Sequence, residues 1–324
     1  MTFPFPHAPF PGLDDAQRAA MLTLGPTWAN DIQGNRRQVC EIYDAVHDGL
    51  PADGLRTLPA QAYGDDPRQQ LDLYLPAAAD GAARPIVAFV HGGAFLRGSK
   101  DATPHIYANV PRLFARAGCV GVNVEYRLAP QAPYPAGADD VAAAVDWLRR
   151  HAAAWGGDPR RIVLIGHSAG GSHVATFLTD PRYRGQADGV AGAALISARL
   201  EADTLPGNPN AAGVVAYYGP DPALQRRHAP MAHTEAMAVP LLIAIAEYEN
   251  PYLDRYALQY AARVAVAGRM PRIVQVPGHN HTSVVAHLGS ADGAFAAALL
   301  DFVAAHAGPL PITAPAAPAP GRSS

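Results

Sequence analysis

Seven short apolar runs recur from residue 71 onward, and helical patterns separate several of them. The runs are LDLYLP (71–76), IVAFVH (86–91), VGVNVEY (120–126), RIVLIG (161–166), AGAALIS (191–197), PLLIAIA (240–246) and RIVQVP (272–277). Most are rich in β-branched residues and bounded by Gly or Pro, which marks strands. They are continuous rather than alternating, the pattern of strands covered on both faces. Helical patterns fall at 139–151, 169–179, 253–267 and 293–306. This alternation predicts crossover units, hence an α/β fold with a mostly parallel central sheet and helices on both faces.

Ahead of the first run lie helical patterns at 13–23 and 28–46, with no strand directly after either. They read as an N-terminal helical cap over residues 1–49. Residues 50–59 read as a turn-rich link, 50–308 as the core, and the Pro/Ala-rich stretch 309–324 as a disordered tail. A 49% hydrophobic fraction and 16% charge allow a large core. A net charge of −3 leaves no basic footprint for nucleic acid or an anionic membrane surface. Cys40 and Cys119 match no metal spacing and are expected to be free. The start MTFPFPHAPFPG lacks the pattern of a secretory signal, and no stretch reaches membrane-span length, so a cytoplasmic protein is expected.

The run RIVLIG ends in Gly166-His167-Ser168-Ala169-Gly170-Gly171, and a helical pattern follows at once. This is a G-x-S-x-G turn between a strand and a helix. A turn this sharp strains the serine backbone and leaves no room for side chains beside it. It lifts the hydroxyl beyond the carboxyl end of the strand, where open α/β sheets bind ligands. The backbone N–H of Ala169 then faces developing negative charge at a helix start. A glycine-flanked serine alone is also a common loop feature, so the rest of the chain must decide.

Two further segments complete the chemistry. VHGGAFLRGS (90–99) follows an earlier strand and offers the N–H groups of Gly92 and Gly93 as oxyanion donors; His91 reads as a brace for that loop. A serine nucleophile also needs a base and an orienting carboxylate, in the chain order Ser, acid, His. The loop after PLLIAIA carries Glu247, Glu249 and, further on, Asp254; the segment PGHNHTS (277–283) carries His279 and His281. An H-x-H pair with His287 in reach also invites a metal reading, but nothing else in the sequence supports one. No metal and no cofactor is expected.

These residues resemble the α/β-hydrolase superfamily, and within it the hormone-sensitive-lipase-like carboxylesterases. The likeness covers roughly residues 63–306 and includes YRLAPQAPYPAGADDVAAAVDWL (126–148) and DPRRIVLIGHSAGG (158–171). YGDDPRQQLDLYLP and the ending NHTS lean toward the neighbouring arylformamidase and feruloyl-esterase-like branch. The resemblance implies an α/β-hydrolase fold with Ser168, Glu249 and His281 as a catalytic triad. Glu247 and His279 are second choices. Two departures stand out: Ala94 takes the place of a third glycine in the HGG loop, and Asn250 intervenes between Glu249 and Pro251.

The resemblance further implies that the N-terminal segment covers the catalytic edge and shapes a mainly apolar pocket. Phe95 and Tyr218 are candidate substrate-binding residues, with Phe10, Trp28, Tyr217 and Tyr252 as further candidate walls. The expected partner is a small-molecule ester of short or medium acyl chain, aryl esters included. Neither nucleic acid nor membrane is expected as a partner, and a homodimer is compatible with the chain. Two other readings stay open at this point: an arylformamidase-type amide hydrolase with the same triad, and a non-catalytic small-molecule receptor on the same scaffold.

Overall fold

The computed structural model describes residues 10–77 and 83–310. Residues 1–9 and the segment 311–324, expected above to be disordered, lie outside the described residues. Eight strands form one sheet: β1 (Arg56–Ala62), β2 (Gln70–Leu75), β3 (Arg84–Val90), β4 (Val120–Val124), β5 (Gly157–His167), β6 (Val190–Ile196), β7 (Leu241–Tyr248) and β8 (Arg272–Asn280). Their spatial order is β1-β2-β4-β3-β5-β6-β7-β8. β2 runs antiparallel to both neighbours, and every other pairing is parallel. The carboxyl ends of β3 and β5–β8 therefore share one edge.

All seven apolar runs are strands. The reading of 50–59 as a link is corrected, because part of it is β1. β1 is an antiparallel edge strand, largely exposed, so no apolar run announces it. Pro59 is tolerated because an edge strand has a side that needs no donor. The register shifts between Leu58 and Gln61, with Ala60 at φ 53°, and the Ala60 N–H turns to the Asp72 carboxylate at 2.8 Å.

The continuous runs have the cause expected of them. On β3, Ile86, Ala88 and Val90 enter one core, and Val87 and Phe89 enter the other. On β5, Ile162 and Leu164 face the first core, and Val163 and Ile165 the second. Helices α4 (Ala136–His151), α5 (Ala169–Thr179) and α8 (Leu253–Val266) close the first core through residues such as Val141, Val174 and Tyr256. Helices α3 (Asn109–Arg116) and α10 (Ala294–Ala307) close the second through Phe114 and Phe302.

The N-terminal segment joins this second core. α1 (Asp15–Leu24) starts with a reciprocal cap, in which Asp14 and Gln17 satisfy each other's backbone N–H groups. The pattern at 28–46 divides into a short turn, Trp28–Asn30, and α2 (Ile32–Asp48), whose first turn is capped by the Asp31 carboxylate on the Gly34 N–H at 2.9 Å. Met21, Leu24, Trp28, Val39 and Tyr43 are buried with sheet residues. The segment is thus packed into the fold, not appended to it. Among the described residues no helix is long and apolar enough to cross a membrane. Cys40 and Cys119 are buried and free.

Candidate active site

At the end of β5 the chain turns through Ser168, at φ 54° and ψ −118°, and enters α5. A left-handed backbone at a non-glycine residue costs on the order of 1–3 kcal/mol and persists only where its surroundings enforce it. Here the Ser168 N–H donates to the Ile196 carbonyl at 3.0 Å, and the Ser168 carbonyl accepts from Arg199 N at 3.1 Å. The glycines make the turn possible. A Cβ on Gly166 would lie 2.6 Å from Gly171 Cα, and one on Gly170 would lie 2.2 Å from the Val90 carbonyl oxygen.

The chain leaves β8 at Asn280, whose side-chain oxygen accepts the N–H groups of Thr282 and Ser283 at 3.1 and 2.9 Å. That turn presents His281 to Ser168, with Nε2 3.1 Å from the hydroxyl oxygen. His281 Nδ1 stands 2.9 Å from Glu249 Oε2. Glu249 Oε1 accepts from Ala246 N at 3.0 Å and from the Ser197 hydroxyl. An ionised carboxylate only accepts, so Nδ1 of neutral His281 carries the proton and Nε2 is free to accept from Ser168. The three side chains form one hydrogen-bonded chain. The His281 carbonyl is held in turn by His167 Nε2 at 2.9 Å.

Glu247 and His279 are placed elsewhere. Glu247 is exposed and accepts the Gly278 N–H at 2.6 Å. His279 is buried, with Nδ1 3.1 Å from the Ser283 hydroxyl and Nε2 3.2 Å from Asp292. It stacks on His287 at 3.9 Å, and the ligand atoms of His279, His287 and Asp292 lie within 4.8 Å of one another. His281 is not part of that cluster. Asp254 lies in the first turn of α8 and is exposed.

The HGG loop follows β3 and lies against the serine turn. A Cβ on Gly92 would meet Ser168 Cβ at 3.0 Å, and one on Gly93 would stand 1.6 Å from the Arg97 carbonyl oxygen, so this loop needs both glycines. The ring nitrogens of His91 face the Gly92 carbonyl at 2.7 Å and Glu125 at 3.3 Å. Gly92, Gly93 and Ser168 all border a cavity of about 270 Å³, together with His281, Trp28, Ile32, Arg36, Arg97, Asp101 and Tyr107. The lining is therefore more charged than the mainly apolar pocket expected. The first turns of α2 and the loop after β3 bring polar side chains inward.

Of the expected walls, Trp28 borders the cavity, and its Nε1 donates to Asn250 Oδ1 at 2.9 Å, next to Glu249. Phe95 and Tyr218 do not. They belong to a buried aromatic cluster with Tyr217, where Phe95 stacks on Tyr217 at 4.8 Å and meets Tyr218 edge-on at 5.5 Å. Phe10 packs edge-on against His279, and the Tyr252 hydroxyl donates to the Pro206 carbonyl. Sequence reasoning missed Arg36, Tyr107, Ser197 and the Trp28–Asn250 pair. The one available signal was Asn250 itself, an extra residue before Pro251 that serves as the acceptor for Trp28.

Three histidines around the site are held neutral. Burial, reinforced by His281, puts His167 well below its ordinary value; burial, reinforced by His91, brings His173 to about 3; burial, reinforced by His279, brings His287 to about 3. The unfolded chain binds these protons below about pH 6.5 and the folded one does not. The stability they allow is complete above that pH and is lost as pH falls toward 3, by up to about 1.4 kcal/mol per pH unit for each group. Urea midpoints are expected to fall between pH 7 and pH 5. A midpoint that is flat or rises over that range contradicts neutral burial.

Comparisons with known proteins identify the family. The BD-FAE family model matches residues 71–249. Carboxylesterase NlhH of Mycobacterium tuberculosis is 39% identical over 125 residues, covering 37% of this chain and 33% of NlhH. Esterase LipI of the same organism is 32% identical over 226 residues, covering 65% of this chain and 67% of LipI. The chain thus spans only about a third of NlhH. A solved bacterial heroin esterase superposes with a TM-score of 0.67 at 26% identity, covering 92% of this chain and 98% of that one. The chain belongs to the BD-FAE family, among the hormone-sensitive-lipase-like α/β-hydrolases.

Proposed function

We propose that the protein is a serine carboxylesterase acting on small esters of short or medium acyl chain, aryl esters included, through a covalent acyl-enzyme. The observation that carries this reading is the hydrogen-bonded chain Ser168–His281–Glu249 beside a cavity that the HGG loop also borders. The relatives' names, carboxylesterase and esterase, support the same class.

In the first step His281 Nε2 takes the hydroxyl proton as Ser168 Oγ bonds to the ester carbonyl carbon. The carbonyl oxygen becomes an oxyanion, and the N–H groups of Gly92, Gly93 and Ala169 receive it. Glu249 stabilises the imidazolium that forms and keeps the ring in orientation. The C–O bond to the alcohol breaks, and His281 returns the proton to the leaving oxygen. Water then attacks the acyl-enzyme with His281 again as base, releasing the acid and restoring Ser168. Every proton moved stays on the substrate, water, Ser168 or His281, so the cycle needs no added oxidant or reductant.

The test pairs turnover with labelling. p-Nitrophenyl butyrate is expected to be hydrolysed, and a fluorophosphonate is expected to stop hydrolysis at one equivalent, with its mass found on the peptide that contains Ser168. Hydrolysis that continues after full labelling, or a label on another residue, refutes the assignment.

A further inference from the structure

We propose that the cavity takes esters that also carry a carboxylate, and that Arg36 is the residue that binds it. This inference rests on the reading of Ser168 as nucleophile, and its test is chosen to separate the two. Arg36 lies on α2, in line with Ile32, Val39 and Tyr43 at i, i+4, i+7 and i+11. Val39 and Tyr43 are buried in the core, whereas Ile32 and Arg36 border the cavity beside Ser168. A guanidinium therefore occupies the apolar stripe of the helix at the point where that stripe passes from core to cavity. It is only partly exposed.

The charges around it are unequal. Among the described residues no carboxylate forms a salt bridge with Arg36; its polar neighbours include Tyr107, Cys40 and His167. Asp101, the acid on the cavity lining, is engaged by Lys100 Nζ at 2.5 Å, and Lys100 also holds Asp72 at 2.7 Å. Glu249 is committed to His281, Ala246 and Ser197. Arg97 adds a second guanidinium on the exposed side of the same lining. The cavity lining itself carries two guanidinium groups, Arg36 and Arg97, against one carboxylate, Asp101, which already shares Lys100 with Asp72. A planar guanidinium in a partly dehydrated cleft matches a carboxylate with two parallel hydrogen bonds. Among the described residues Tyr107, which borders the same cavity, is the hydrogen-bond partner of this guanidinium, and one hydroxyl cannot take up all five N–H donors. A neutral ester uses none of this.

The experiment compares each acid with its neutral counterpart. Mono-p-nitrophenyl adipate against p-nitrophenyl hexanoate places the carboxylate on the acyl side. 4-Acetoxybenzoate against its methyl ester places it on the leaving group. In at least one pair the acid-to-neutral ratio of kcat/KM is expected to fall about 10–100-fold in Arg36→Gln. Arg36→Lys restores part of it, and added salt lowers it in the wild type. The pair that responds tells which side Arg36 reads. A general loss of packing would lower acid and neutral together and leave the ratio unchanged, and unchanged ratios in both pairs overturn the proposal.

A second measurement needs no turnover. Calorimetric titration of Ser168→Ala with adipate and with 4-hydroxybenzoate is expected to show binding of at least one. That binding is expected to weaken at least tenfold when Arg36→Gln is added. Equal binding with and without Arg36, or no binding of either acid, overturns the carboxylate assignment. Arg36-dependent binding in a protein that hydrolyses no ester keeps the assignment and removes the nucleophile.

Discussion

Ser168→Ala is expected to lower kcat for p-nitrophenyl butyrate by a factor of about 10⁴–10⁶, and His281→Ala by a similar factor, with far-ultraviolet circular dichroism unchanged. The size follows from the proposed roles of the two groups. Without the hydroxyl there is no nucleophile for His281 to activate. Without the imidazole the hydroxyl is a poor nucleophile that keeps its proton. Each single loss is therefore nearly as severe as losing both, and the double variant is expected to be little slower than either single one. The backbone at Ser168 adds a signature that an ordinary core serine lacks. Its φ of 54° is strained for any residue with a side chain, so Ser168→Gly is expected to be inactive yet more stable by roughly 1 kcal/mol. Residual activity within tenfold of wild type in Ser168→Ala sinks the proposed mechanism.

Glu249→Gln is expected to lower kcat by about 10⁴, and Glu247→Gln by less than about threefold. The two side chains start from the same loop and end in different places. Glu249 faces His281 Nδ1 at 2.9 Å with its side chain 4% exposed, so an amide there can no longer stabilise an imidazolium. Glu247 is exposed and is engaged by the Gly278 N–H and the Tyr248 side chain, not by His281. A gel-filtration profile and melting curve close to wild type for both variants would assign the difference to chemistry. Comparable losses at the two positions would show that the loop, and not one carboxylate, carries the effect.

The parts of this molecule legible in the sequence are those whose cause is local. Ile162 to Ile165 must be buried on both faces, and Gly166 and Gly170 must admit close backbone approach, so strand, turn and helix around Ser168 were readable together. β1 was not, because its side chains are largely exposed and no apolar run marks it, although Gly64, Asp65, Asp66 and Pro67 do mark the turn that leads to β2. The second choices Glu247 and His279 arose from a real limit. Residues two apart on an extended strand share a face, so spacing does not separate 247 from 249 or 279 from 281. What separates them is where the chain leaves the strand: at Asn280, whose side chain closes a turn, and beyond Tyr248, where Glu249 folds back onto the Ala246 N–H. Phe95 and Tyr218 fall outside the cavity lining for the opposite reason. Nothing in their own neighbourhood says that three aromatic rings pack into one buried cluster. Arg36 was invisible for the same reason, since a helix stripe does not reveal what faces it.

The hydrogen bond from Trp28 to Asn250 joins positions 222 residues apart, one in the segment before the sheet and the other beside Glu249. It makes the N-terminal segment unsuitable as an exchangeable module. A replacement segment without this tryptophan would remove the indole that fixes Asn250, and one without the apolar stripe would expose the core face that Met21, Leu24 and Val39 now cover. Efforts to redirect this scaffold to other substrates are better spent on point changes at Ile32 and Arg36, where the retained helix offers side chains to the cavity while its remaining turns stay locked to the sheet.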